Sequence, residues 1–292
     1  MRIIITGTGG RLGAAVARHL RDRHRVIAWD RRAMDLREPE RIRDHFDAVQ
    51  FDAVIHCAAL TAVDYCEDHP DEARAVNTEA PALLARICRD RGARLIQVST
   101  DYVYDGRLPG LRRESDPTDP LGVYARTKRE AEEAVLGVCP DFLVARTSWV
   151  FGPDRSSFAD TILDRARRGG DCGAIADKWS NPSYSHDLAA MLEALALNPA
   201  ATGIVNLCNA GGCSWLEYGQ ACLDIAAEAG VALKCRTLKP LGLHEIPAFI
   251  APRPVHTSMD TGRLAELTGA LVRPWREALA EYIRTYHARS AA

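Results

Sequence analysis

The first thirteen residues restrict this chain more than any later stretch. Arg2-Ile3-Ile4-Ile5-Thr6 is a short apolar run that breaks at Gly7-Thr8-Gly9-Gly10-Arg11-Leu12-Gly13. An apolar run bounded by glycines predicts a buried strand, and the amphipathic pattern through about Leu20 predicts a helix. The common fingerprint Gly-x-Gly-x-x-Gly would need glycine at position 12, which is leucine; the spacing present is Gly7-x-x-Gly10-x-x-Gly13. Glycines between a strand and a helix let backbone N–H groups approach a pyrophosphate at the positive end of the helix. The expectation is a dinucleotide site that takes in Gly7, Gly10, Arg11, Leu12 and Gly13.

The alternation begun there continues. Strands are predicted at 25–29, 51–59, 94–98 and 142–146, with helices over about 71–90, including a tolerated Pro81, and around Tyr124. Strands alternating with helices predict an α/β fold, a doubly wound Rossmann-type sheet that is mostly parallel. After Gly152 the pattern loosens. Helices are expected at about 157–168, 187–197, 259–268 and 274–287, and strands near 173–176 and at 203–208, the last returning to the main sheet. Residues 211–260 carry a helix, a strand and a loop punctuated by Pro240, Pro247, Pro252 and Pro254. Residues 1–148 are therefore assigned to a dinucleotide-binding domain, to which 187–210 returns. Residues 149–186 and 211–292 are assigned to a smaller substrate-binding lobe, read as too interrupted to hold a core of its own.

Composition excludes several classes. The 292 residues are 47% hydrophobic and 26% charged with a net charge of −2, so no basic field awaits a nucleic acid. No apolar run nears the ~18 residues of a membrane span. The strand pattern starts at Met1, which leaves no room for a signal peptide and points to the cytoplasm. Nine scattered cysteines without a Cys-x-x-Cys pair read as reduced, buried thiols. No metal site is expected. Cys57 has no activator, and His56 reads as a core histidine.

Three further segments carry chemistry. The second strand ends at Asp30-Arg31-Arg32. Asp30 stands where an acid bonds the adenosine ribose in NAD enzymes, whereas Arg31, Arg32 and Arg11 could grip a 2′-phosphate. NADPH is the expected cofactor, with NADH possible. Asp35 and Leu36 follow in the same segment and are placed with the cofactor, as are Ala58 and Ala59, small residues closing the third strand. Tyr124 and Lys128 are one helical turn apart. An ammonium beside a phenol is expected to lower its pKa from ~10 towards neutrality. Thr100 closes the fourth strand, where a hydroxyl could hold a carbonyl oxygen that Tyr124 protonates.

Taken together, these segments resemble the dTDP-4-dehydrorhamnose reductase family, within the extended short-chain dehydrogenase/reductases. The resemblance rests on Gly7-x-x-Gly10-x-x-Gly13, Ala58 to Asp64, Val76-Asn77, Ser99 to Gly106, Tyr124-x-x-x-Lys128, Arg146 to Val150, and Arg253-Pro254 with Ser258. It implies reduction of the 4-keto group of dTDP-4-dehydro-6-deoxy-L-mannose to dTDP-L-rhamnose. In that scheme Tyr124 is the general acid, Lys128 is its partner and a ribose ligand, and Thr100 polarises the ketone. Val63, Tyr102, Trp149, Asn181 and Arg253 would line the substrate, and the loop 177–182 would approach it. The implied partner is a nucleotide-sugar, and the implied assembly a monomer or homodimer. Alternatives are a reductase of another nucleotide-activated keto-sugar, or a non-catalytic NADP-binding regulatory subunit of a methionine adenosyltransferase. The chain departs from the family pattern at Ala125, Lys178 and Ser180, and has Ala15 where some members carry a glutamate of a magnesium-linked interface.

Overall fold

A computed structural model describes residues 1–170, 172–246 and 248–288; Asp171, Pro247 and 289–292, with the expectations that fall on them, lie outside the described residues. The first part runs β1 (Arg2–Thr6), α1 (Arg11–Leu20), β2 (Arg25–Trp29), α2 (Pro39–Asp47), β3 (Ala53–His56), α3 (Val63–Asp68), α4 (Pro70–Arg74), α5 (Ala80–Asp90) and β4 (Arg94–Thr100). It continues with α6 (Val123–Val138), β5 (Leu143–Thr147), β6 (Val150–Phe151), α7 (Phe158–Arg168), β7 (Gly173–Ile175), β8 (Trp179–Ser180) and β9 (Ser183–Tyr184). The chain closes through α8 (Ser185–Leu197), β10 (Gly203–Leu207), β11 (Cys213–Ser214), α9 (Trp215–Glu228), β12 (Lys239–Leu241), α10 (Gly262–Thr268) and α11 (Trp275–Tyr286).

Six strands form one sheet in the order β10-β5-β4-β3-β1-β2, every pairing parallel. Because successive strand residues face opposite sides, β1 splits its apolar run. Ile3 and Ile5 pack with Val16, Leu20, Leu188 and Leu192 of α1 and α8, while Ile4 packs with Ile42, Phe46 and Leu84 of α2 and α5. Helices on both faces are what nearly continuous apolar strands require. The strand order reverses between β1 and β3, so a crevice opens at their carboxyl ends. β10 does return to this sheet, beside β5.

The predicted helix over 71–90 comes as α4, a π-helical turn at Ala75–Glu79, and α5. Pro81 has no N–H for the carbonyl of Asn77, and the widened turn takes up the missing bond. The Asn77 amide side chain then clasps the Leu60 backbone, accepting from its N–H at 2.8 Å and donating to its carbonyl at 3.0 Å.

The later segments do hold a core of their own, against the expectation. Phe151, Tyr184, Tyr218, Leu223, Trp275, Leu279 and Tyr282 belong to one buried cluster filled by α7, α9 and α11. The strands there are short two-residue and three-residue pairs, which is why periodicity underrated them. Aromatic rings supply the missing volume: Phe151 stacks on Tyr184 at 5.3 Å, and Phe158 on Tyr218 at 5.4 Å. Such pairs contribute about 0.5–1.5 kcal/mol each beyond their buried area. Among the described residues no helix is long and apolar enough to cross a membrane.

Candidate active site

A cavity of about 1010 Å³ opens at the switch point of the sheet. Its lining includes Gly7, Gly10, Arg11, Leu12, Gly13, Asp30, Arg31, Arg32, Asp35, Leu36, Ala58, Ala59, Tyr124 and Lys128, so the structure brings together every residue expected at a cofactor. The glycines make this possible by close packing. Gly7 has φ +73°, and a Cβ there would stand 2.7 Å from the Ala58 backbone; one on Gly13 would stand 2.3 Å from the Gly7 carbonyl oxygen. The strand, the turn and α1 can therefore nest only without side chains, leaving the start of α1 open towards the cavity. Gly10 is its N-cap, and no side chain caps it.

Charges at the outer end of the cavity are arranged differently from expectation. The Arg11 guanidinium donates to the carbonyls of Val150 at 2.9 Å, Arg155 at 3.1 Å and Ser156. It ties α1 to the segment after β6 and is not extended towards a 2′-phosphate. Asp30 Oδ1 accepts the N–H groups of Arg32 and Ala33, both at 2.9 Å, which closes the turn after β2. Arg37 holds Asp35 at 2.6 Å and brings its carboxyl down to about 2. The lining also contains Thr147 and Val150, from the Arg146 to Val150 block, and Glu72, Arg155 and Ser156, which local sequence patterns do not mark. They reach the cavity only through the packing of α4 and of the chain that leaves β5.

Thr100, Tyr124 and Lys128 converge below this cavity. Lys128 is buried, and its ammonium donates to the Val98 carbonyl of β4 at 2.7 Å. Burial lowers its pKa to about 8, with Glu132 and Cys57 opposing the shift. Thr100 accepts the Tyr102 N–H and donates to Asp101 Oδ1, both at 3.2 Å. Burial pushes the Tyr124 phenol well above its usual value, only partly offset by a hydrogen bond with Thr100. That corrects the expectation that Lys128 draws Tyr124 towards neutrality. Desolvation comes first, the Asp101 charge adds to it, and the Lys128 ammonium is engaged by Val98. The consequence is a phenol that keeps its proton. His56 is fully buried, its Nδ1 2.6 Å from the Thr6 hydroxyl, and burial plus the Lys128 charge lower it to about 3, so it stays neutral. Burial raises the Cys57 thiol to about 12, which keeps it protonated at neutral pH.

Two buried networks hold this trio. One turn beyond Lys128, Glu132 accepts Arg146 Nη2 at 2.6 Å, Arg146 Nε at 2.9 Å and the Ser99 hydroxyl at 2.6 Å. Arg146 also donates to the Tyr104 hydroxyl at 2.9 Å. α6 is thus bolted to β4 and β5 in one register. Asp101 accepts the hydroxyls of Ser148 at 2.9 Å and Thr257 at 2.6 Å, linking the strand ends to the later lobe. Lys178 is fully buried with its ammonium 4.7 Å from the Tyr102 ring, and it donates to the Pro254 carbonyl.

The expected substrate residues divide into those near Tyr124 and those elsewhere. Val63 and Tyr102 pack with Tyr124, the two tyrosine rings meeting edge to face at 6.1 Å. Trp149 is the only non-glycine residue with positive φ, +40°, among the described residues. Its indole is stacked on Trp215 at 4.8 Å and set edge-on to Tyr218 at 4.7 Å, so one face belongs to the aromatic core of the lobe. Arg253 grips Asp64 at 2.5 Å and lies over the Phe249 ring at 3.7 Å, which pins the 249–253 segment onto α3. Asn181 is not brought to the crevice. It is wholly buried, donating to the Asn209, Gly211 and Met259 carbonyls and accepting the Met259 N–H at 2.7 Å. In the loop 177–182 Asp177 accepts the Leu243 N–H at 2.7 Å, while Trp179 stacks on His256.

A wholly parallel sheet with a glycine turn at its switch point, and a tyrosine and lysine one turn apart beside the same cavity, define a Rossmann-type oxidoreductase of the short-chain dehydrogenase/reductase class. The chain belongs to the RmlD substrate binding domain family, whose model matches residues 1–288. It is 35% identical to the dTDP-4-dehydrorhamnose reductase of Mycolicibacterium smegmatis over 285 residues, 97% of this chain and 85% of that one. It is 35% identical to a probable dTDP-4,6-dihydroxy-2-methyloxan-3-one 4-ketoreductase of Streptomyces antibioticus over 286 residues, 96% of this chain and 94% of that one. Among solved structures, the dTDP-4-dehydrorhamnose reductase of Bacillus anthracis in complex with NADP superposes with a TM-score of 0.89 at 26% identity, covering 98% of this chain and 99% of that one.

Proposed function

We propose that this protein reduces the 4-keto group of dTDP-4-dehydro-6-deoxy-L-mannose to give dTDP-L-rhamnose, using NADPH in preference to NADH. The observation that carries the reading is a buried, protonated Tyr124 beside Thr100, at the floor of a cavity with a glycine cradle. The cavity fits a nicotinamide dinucleotide in size and chemistry, with the uncapped start of α1 for the pyrophosphate and Asp30, Arg31 and Arg32 for the adenosine ribose. When bound, the cofactor supplies the hydride that adds to C4 of the sugar. Tyr124 gives its proton to the ketone oxygen, so the carbonyl becomes an alcohol and a phenolate remains. Thr100 turns its hydroxyl from Asp101 to the same oxygen and orients it. Lys128, one helical turn away, favours the phenolate by its charge. The segments 149–186 and 211–292 close the sugar side, with Val63, Tyr102 and the free edge of Trp149 bounding it.

The charge on Lys128 predicts a pH profile. In the free enzyme the ammonium is lost as pH rises through about 8. kcat/KM should therefore fall about tenfold per pH unit above that point. The effect on stability has the opposite sign. The unfolded lysine holds its proton to about 10.4, so between those values the unfolded chain binds more protons and this group makes folding more favourable as pH rises. Lys178, also lowered to about 8, is the control, since Lys178→Gln should keep the limb. A profile flat to pH ~10 would remove Lys128 from the reaction.

A second reading, a reductase of another nucleotide-activated keto-sugar, is favoured by the Streptomyces relative. Cofactor oxidation measured with a panel of nucleotide keto-sugars separates the two. The proposal expects the highest kcat/KM with dTDP-4-dehydro-6-deoxy-L-mannose, and Thr100→Ala should lower that kcat by about 10²–10³-fold. Tight cofactor binding without oxidation by any sugar would instead indicate a non-catalytic binding protein.

A further inference from the structure

The outer end of the cavity contains a carboxylate that the reaction above does not use. Glu72, in the first turn of α4, lines the cavity with Asp30, Arg31 and Arg32. It accepts the Tyr65 hydroxyl at 2.8 Å and meets Arg37 at 3.3 Å and Arg31 at 3.6 Å. Arg37 is already closed on Asp35, and Arg11 is held by backbone carbonyls, which leaves Arg31 and Arg32, with Arg155, as lining arginines that could meet a phosphate.

We propose that Glu72 is a determinant of cofactor choice, holding Arg31 back from the 2′-phosphate of NADP and thereby narrowing the preference for it over NAD. The inference rests on the reading of this cavity as the dinucleotide site. A 2′-phosphate carries about −1.5 to −2 charges at neutral pH, by analogy with other phosphate monoesters. It must compete with the Glu72 carboxylate for the Arg31 guanidinium. NAD has only a hydroxyl at that position, so Glu72 acts on it weakly. Arg31 is mostly exposed, and an exposed ion pair of this kind contributes up to about 1 kcal/mol, which is about fivefold in affinity. Screening by salt should erase most of it, since the Debye length shrinks to about 3 Å at 1 M.

The test is binding of NADP⁺ and NAD⁺ by calorimetry, without any sugar, to the wild-type chain, Glu72→Gln, Arg31→Ala and the double variant. Glutamine keeps an acceptor for Tyr65, so the fold is retained. Glu72→Gln should tighten NADP⁺ about three- to fivefold at low salt, leave NAD⁺ unchanged, and lose this gain at high salt. In the Arg31→Ala chain, Glu72→Gln should change neither Kd. Equal changes for both nucleotides, or a gain for NADP⁺ that persists without Arg31, would overturn the role of Glu72 while leaving the cavity reading intact. Failure of the wild-type chain to bind either nucleotide would overturn both.

Discussion

Tyr124→Phe should lower kcat by about 10²–10⁴-fold, the usual contribution of a positioned general acid, and leave the Kd of NADPH almost unchanged. The substitution removes one hydroxyl and keeps the ring against Val63 and Tyr102. Burial pushes the phenol pKa up, so the wild-type hydroxyl carries its proton at neutral pH. Thr100 is far too weak an acid, His56 is neutral and sits behind Thr6, and Lys128 is directed at Val98. Steady-state kinetics with a separate binding titration checks this. Turnover within about tenfold of wild type would assign the proton to another donor.

Glu132→Gln should destabilise the protein by about 3–5 kcal/mol, because it strands the Arg146 charge in the interior. Glu132 and Arg146 are both buried and exchange two short bonds, with Ser99 completing the carboxylate. A buried pair contributes little over a hydrophobic replacement, whereas half a pair is costly. Adding Arg146→Met to Glu132→Gln should therefore recover much of the loss. Urea unfolding of the three variants measures it. A loss below about 1 kcal/mol for the single variant would mean that water reaches the pair and that α6 is held in register by other contacts.

Glycine spacing, strand ends and the four-residue step from Tyr124 to Lys128 were legible because they are properties of the backbone. Gly7, Gly13 and Ala58 meet at one point for lack of side chains, and any chain with that spacing after a buried strand must do something similar. The directions of long side chains were not legible. Arg11 sits where expected, but its guanidinium turns to carbonyls some 140 residues on. Arg253 and Asn181 lie in segments of the expected kind and satisfy protein partners. The net protonation of Tyr124 was not legible because it depends on burial, which no spacing reports. Glu132 and Arg146 belong to separate elements, and only the parallel packing of β4 against β5 brings Ser99 alongside them. The aromatic core of the later lobe was missed because its strands are too short to show a period.

The central claim is that a nucleotide-linked keto-sugar held over Thr100 and Tyr124 receives hydride at C4 and a proton on its ketone oxygen. NADPH carrying deuterium on the transferable face of the nicotinamide tests it directly. Incubation with dTDP-4-dehydro-6-deoxy-L-mannose, followed by NMR of the product, should place deuterium at C4 of dTDP-L-rhamnose, with one cofactor oxidised per sugar reduced. Label at another carbon, or cofactor that stays reduced in the presence of the sugar, would contradict it.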